Sequence, residues 1–73
     1  MEDRLITKAK REFEKHAKET LDVISLGGAL YAFGSELACL RLERAYRYCG
    51  DRAAADYSEN RQTWYFRLET SLT

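Results

Sequence analysis

From Leu5 onward the apolar residues return at helical intervals. Leu5, Ile6, Ala9, Phe13, Ala17, Leu21 and Ile24 fall three or four positions apart after the first pair. This spacing lines one face of a helix and sets the strongest constraint on the fold. The opposite face offers i,i+4 pairs of opposite charge at Lys10/Glu14, Glu14/Lys18 and Lys15/Glu19, each adding about 0.2–0.5 kcal/mol to a helix. With Asp3 as N-cap, the pattern predicts a helix A over residues 4–26. The chain contains no proline, so nothing forces an interruption.

Gly27-Gly28 follows and reads as a helix stop. A rival reading carries the helix to Phe33, breaks it at Gly34-Ser35 and lets Ser35 cap the next one. The first break gives three helices of similar length, which pack well antiparallel. Helix B, residues 29–49, carries two apolar stripes: Leu30, Phe33, Leu37 and Leu40, then Tyr31, Ala38, Leu42, Ala45, Tyr46 and Cys49. Two stripes imply burial on two sides. Gly34 and Ala38, four apart, would allow a close helix–helix approach. Gly50 suits a C′ position and Asp51 an N-cap, opening a helix C over residues 52–71. The expected fold is therefore all-α: a single domain spanning 1–73, a helical hairpin plus a third helix.

A 73-residue domain buries a modest core and is marginally stable alone. Helix B has two faces to bury, so a homodimer or higher oligomer is expected. Leu37, Leu40, Ala38, Gly34 and Phe66 are the candidate self-association residues.

The stretch "ENRQTWYFRLE" sets Trp64, Tyr65 and Phe66 side by side between Arg61 and Arg67. On a helix, successive residues rotate by about 100°, so a one-sided core cannot accept all three. Trp64 aligns with Tyr57 and Leu68 and is expected inside. Phe66 is expected outside, against a second chain. Arg41, Arg44, Arg47, Arg52, Arg61 and Arg67 also gather in the second half, whereas all four lysines lie in helix A. Arginine beside aromatics is the composition of interface anchors, and equally of sites that stack bases and clamp phosphates. A solvated face is the plainer reading, with Glu43, Asp51, Asp56 and Glu59 as ion-pair partners. The candidate partner- or ligand-binding residues are Arg44, Arg47, Tyr46, Tyr48, Tyr65, Phe66 and Arg67.

Twelve basic residues balance twelve acidic ones, which gives no global drive toward nucleic acid or anionic membrane. "ERAYRYCGDRAAADYSENRQ" has a faint helix-turn-helix outline, but its glycine is one residue off the usual offset. Cys39 and Cys49, ten apart on one helix, would sit about 15 Å apart and could not form a disulfide. Free thiols fit a reducing, cytoplasmic setting. The N-terminus is charged throughout, unlike a signal peptide. The longest uncharged run has 13 residues, where a membrane span needs roughly 20. A lone histidine, His16, completes neither a zinc set nor a nucleophile–base pair, and it has Glu12 as a helical neighbour. "LGGALYAFGSE" matches no phosphate-binding loop. No catalytic residues, metal or cofactor are expected.

In size and expected helicity the chain resembles the short stand-alone helical proteins of phages and other mobile elements. Many of these bind and block a host protein, and some sequester a signalling nucleotide. The resemblance implies a non-enzymatic interaction module that self-associates and binds, or inhibits, another protein. A binder of a small phosphorylated ligand such as a nucleotide second messenger, at an oligomer interface, is the alternative. Nucleic-acid binding stands third.

Overall fold

The structure is a computed structural model that describes residues 4–69. It is α+β rather than all-α. The elements run α1 (Arg4–Ala17), β1 (Asp22–Leu26), β2 (Ala29–Gly34), α2 (Glu36–Tyr48), β3 (Ala53–Ser58) and β4 (Thr63–Glu69). The four strands form one antiparallel sheet in the order β1-β2-β4-β3. Two hairpins, β1–β2 and β3–β4, meet where β2 pairs with β4. Strands β2 and β3 run in the same direction with β4 between them. The β2–α2–β3 segment is therefore a split β-α-β unit.

Each expected helix is corrected. Helix A stops at Ala17, not Leu26, because Lys18 adopts φ +63° and turns the chain out of the helix. The orphan carbonyl of Ala17 accepts from Arg41 Nη1 at 3.0 Å, and Glu14 Oε2 reaches forward to accept the Leu21 N–H at 2.9 Å. Glu14 also pairs with Lys10 as expected, whereas Lys18 and Glu19 lie beyond the helix. Leu21 and Ile24 kept the helical interval by coincidence of spacing.

Gly27 and Gly28 do not end a helix. Their φ values of +57° and +80° match a type I′ turn, whose twist suits a two-residue hairpin. The first third of expected helix B is strand β2. The helix proper begins after Ser35, whose Oγ accepts the Ala38 N–H at 3.1 Å, so the rival reading had the right cap on the wrong preceding element. Gly50 does occupy C′, with φ +89°. Its N–H donates to Arg47 O at 2.9 Å and the Asp51 N–H to Tyr46 O at 3.0 Å, the two bonds of a Schellman motif. Expected helix C is the β3–β4 hairpin instead, so Asp51 caps nothing helical.

The strand period of two reassigns the aromatic triplet. Trp64, Phe66 and Leu68 face the helices, and Tyr65 and Arg67 face away. Phe66 is fully buried, and its ring centroid lies 5.3 Å from Phe13 of α1 and 5.6 Å from Tyr46 of α2. Both helices therefore cover the same face of the sheet. Ala32 and Ala55 flank Phe66 across the ladders. With Ala17, Ala38 and Ala53 they keep the helix–sheet separation small, while Phe13, Leu21, Leu42 and Cys39 fill the space. No helix among the described residues is long and apolar enough to cross a membrane.

Candidate functional site

With both helices on one face, no element among the described residues covers the other. Pairing registers place Ile24 and Leu26 of β1, Tyr31 and Phe33 of β2, and Tyr65 and Arg67 of β4 on that open face. The aromatics sit on the two central strands. Tyr31 and Tyr65 are neighbours with ring centroids 5.9 Å apart at 49°. The four-residue connection between β3 and β4 brings Arg61 back over the sheet, its Cζ 4.5 Å from the Phe33 centroid. That is within cation–π range.

Arg67 donates from Nε to Tyr31 Oη at 3.1 Å and from Nη1 to Glu69 Oε2 at 3.3 Å. The Tyr31 hydroxyl, and after it Glu69, favour the charged guanidinium and raise its already high pKa. Arg61 is thus held over the Phe33 ring and Arg67 is tied to the Tyr31 hydroxyl at the ring's edge, which lowers the ordering cost of presenting them to a partner. Asp22 lies opposite Phe33 and Asp56 opposite Tyr65, so carboxylates border the aromatic centre. An open hollow at the aromatic centre, between Ile24, Leu26, Tyr31, Phe33, Ser58, Arg61 and Tyr65, holds about 170 Å³. Small-molecule pockets typically span about 300–1,000 Å³. A wider open groove of about 610 Å³ runs along one end of β1 and β2. Its cations, Lys10 and Arg61, are occupied by Glu14 and Phe33, and Asp22 also lines it.

Comparison with protein-family models, with characterised proteins and with solved structures finds no match.

The residues singled out from the sequence are divided among three places. Tyr65 and Arg67 stand on the open face. Phe66, Tyr46, Ala38 and Gly34 belong to the interior or its edge. Phe66 and Ala38 are fully buried, and a Cβ added at Gly34 would lie 2.5 Å from Leu21 Cδ2. Tyr46 packs edge-on against Phe13, and burial pushes its hydroxyl pKa up. The remaining residues lie on α2. Leu37 and Leu40 are 56% and 41% exposed and line a shallow surface with Arg41, Glu43 and Arg44. Tyr48 is 92% exposed. Arg47 is spent on the Ala53 carbonyl at 2.9 Å. Of the candidates, Arg47 and Arg67 line one open hollow of about 360 Å³ together with Asp51 and Arg52, whereas Tyr46 and Tyr65 lie on opposite sides of the sheet.

Tyr31, Phe33, Arg61, Ile24 and Leu26 were not among the candidates. The signal for them was alternation. "ALYAF" and "TWYFRLE" each place every second residue on one face, once Gly-Gly is taken as a two-residue hairpin loop. Of the thiols, Cys39 is buried, and burial raises its pKa to about 11, whereas Cys49 is exposed. Among the described residues no cluster of three or more His, Cys, Asp or Glu side chains is placed to hold a metal ion.

Proposed function

We propose that the chain is a non-enzymatic interaction module that docks a protein partner on the open face of its sheet. The observation that carries this reading is the aromatic centre of Tyr31, Phe33 and Tyr65, with Arg61 over the Phe33 ring and Arg67 hydrogen-bonded to the Tyr31 hydroxyl. Tyrosine and arginine held rigid at the middle of a patch are the usual sources of binding energy in protein interfaces. Carboxylates at Asp22, Asp56 and Glu69 match the polar rim such interfaces carry. The complementary partner has an apolar centre and a border of mixed charge. Free Cys39 and Cys49 favour a reducing compartment such as the cytoplasm as the place of action.

A second reading has one observation in its favour. Aromatics on the two central strands of an open sheet are also how some domains stack single-stranded nucleic acid. Charge argues against it. The face sets three carboxylates, Asp22, Asp56 and Glu69, against three arginines, Arg52, Arg61 and Arg67, so it has no net positive charge, and backbone neutralisation dominates nucleic-acid affinity.

Affinity capture from the native host, with wild type beside Tyr65→Ala and Phe33→Ala, tests the proposal. The captured protein is then purified and titrated against each variant. The expected result is direct binding that either face variant weakens at least tenfold and that Leu37→Ser/Leu40→Ser leaves intact. Salt-dependent binding of single-stranded oligonucleotides, lost in the same face variants, would replace this reading with the second.

A further inference from the structure

The two edges of the sheet are treated differently. On β3, two of the outward backbone groups are taken up by α2. Glu43 Oε2 accepts the Ala55 N–H at 3.2 Å, and Arg47 Nε donates to the Ala53 carbonyl at 2.9 Å. Side chains covering the edge in this way are a recognised guard against strand addition.

β1 has no such guard. The two-residue turn makes Leu26 and Ala29 the hydrogen-bonded pair that closes the hairpin. Antiparallel alternation then assigns Ile24↔Tyr31 and Asp22↔Phe33 to hydrogen-bonded positions. The N–H and C=O of Val23 and Ser25 therefore point away from β2, and no hydrogen bond among the described residues reaches them. Asp22–Leu26 has no lysine, arginine, proline or bulge to blunt it.

We infer that β1 is the self-association edge of this protein, pairing antiparallel with β1 of a second copy about a two-fold axis through Ile24. This inference is independent of what docks on the open face. The occupant is argued from register. A dyad at Ile24 sets Val23 opposite Ser25 of the other copy and Asp22 opposite Leu26, so no like charges meet. Val23 and Ser25 are the residues whose backbone groups point outward. Each Val23–Ser25 pair becomes a hydrogen-bonded pair, and the register satisfies both edges at once. A two-fold perpendicular to the sheet keeps all four helices on one side. The result is an eight-stranded sheet whose two aromatic faces become continuous, with Ile24 against Ile24 at the seam. Leu26, 63% exposed in the single chain, gains a diagonal apolar neighbour there. Edge pairing buries little area, so the dimer is weak and its population rises with concentration.

Sedimentation velocity over a concentration series tests this, with three variants. Ser25→Pro deletes an outward N–H that the hairpin ladder does not use, and proline is tolerated at such edge positions. Ser25→Ala removes only the side chain. Ile24→Lys sets like charges together at the dyad. Wild type and Ser25→Ala are expected to dimerise with rising concentration, while Ser25→Pro and Ile24→Lys stay monomeric with unchanged circular dichroism. Amide exchange gives a readout on wild type alone: the Val23 and Ser25 N–H groups should become protected as concentration rises. A wild type that stays monomeric at the highest concentration overturns the inference. So does a dimer that survives Ser25→Pro and Ile24→Lys but is lost in Leu37→Ser/Leu40→Ser.

Discussion

Truncating Phe66 to alanine separates the sheet from any helical reading of the same stretch. Phe66 is 0% exposed and touches the rings of Phe13 and Tyr46 at 5.3 and 5.6 Å. Buried Phe→Ala changes cost about 3–5 kcal/mol, and the cost rises when neighbours cannot collapse into the space. Here the cross-strand neighbours are Ala32 and Ala55, whose methyl groups have no rotamer that could swing into the space. The two ring contacts add about 0.5–1.5 kcal/mol each beyond area burial. The upper part of the range, about 4–5 kcal/mol, is therefore expected. At roughly 0.05–0.15 kcal/mol per residue the whole domain is stable by about 4–11 kcal/mol. Phe66→Ala thus removes much or all of its stability. Tyr65→Ala, one residue away on the open face, should cost no more than about 1.5 kcal/mol. Urea denaturation followed by Trp64 fluorescence and far-ultraviolet circular dichroism measures both. If Tyr65→Ala costs several kcal/mol and Phe66→Ala under one, β4 is shifted by one residue, since such a slip exchanges the two faces.

Three further outcomes follow from the packing and electrostatics. Gly34→Ala should destabilise by about 1–3 kcal/mol in the same urea assay, because the new Cβ would meet Leu21 Cδ2 at 2.5 Å and Leu21 is itself packed in the core. A thiol reagent should modify one cysteine quickly in the native protein and two in denaturant. Cys49→Ser should abolish the fast phase, because Cys39 is buried with its pKa raised to about 11. Lys10 and the Leu21 N–H hold the Glu14 carboxyl below its ordinary value of 4.5. That contribution is fully present above the unfolded pKa and is lost as pH falls through the lower folded one. Glu14→Gln should therefore flatten the acid decline of Tm below about pH 4.5, slightly, because the group lies at the surface.

Local chemistry was legible in the sequence where it acts over a few residues. The first four turns of helix A, the Lys10–Glu14 pair and Gly50 at C′ follow from spacing and residue type, whereas Ser35 as a cap belongs to the rival break at Gly34-Ser35. The strands were not recovered, and the reasons are physical. β3 opens with Ala53, Ala54 and Ala55, which favour helix in isolation and become strand through pairing to β4. Leu21 and Ile24 extended the helical interval past Lys18, a non-glycine residue with positive φ that no sequence rule would nominate. Gly27-Gly28 suits a type I′ hairpin turn as well as a helix stop, and only the strands on either side decide between them. Once residues 52–71 were assigned to a helix, the 100° rotation placed Phe66 outside and Trp64 alone inside. The open face was hidden by the same step, because Tyr31, Phe33 and Tyr65 share a side only in a period of two.

The aromatic rings themselves report most directly on whether that face is the working surface. Carbon–proton correlation spectra of the aromatic side chains, recorded while the purified partner is titrated in, resolve each ring. The account predicts shifts or broadening at Tyr31, Phe33 and Tyr65, with Tyr48 on α2 and Tyr57 on β3 unchanged. Perturbation confined to Tyr48 and the methyl groups of Leu37 and Leu40, with the three sheet rings silent, would contradict it.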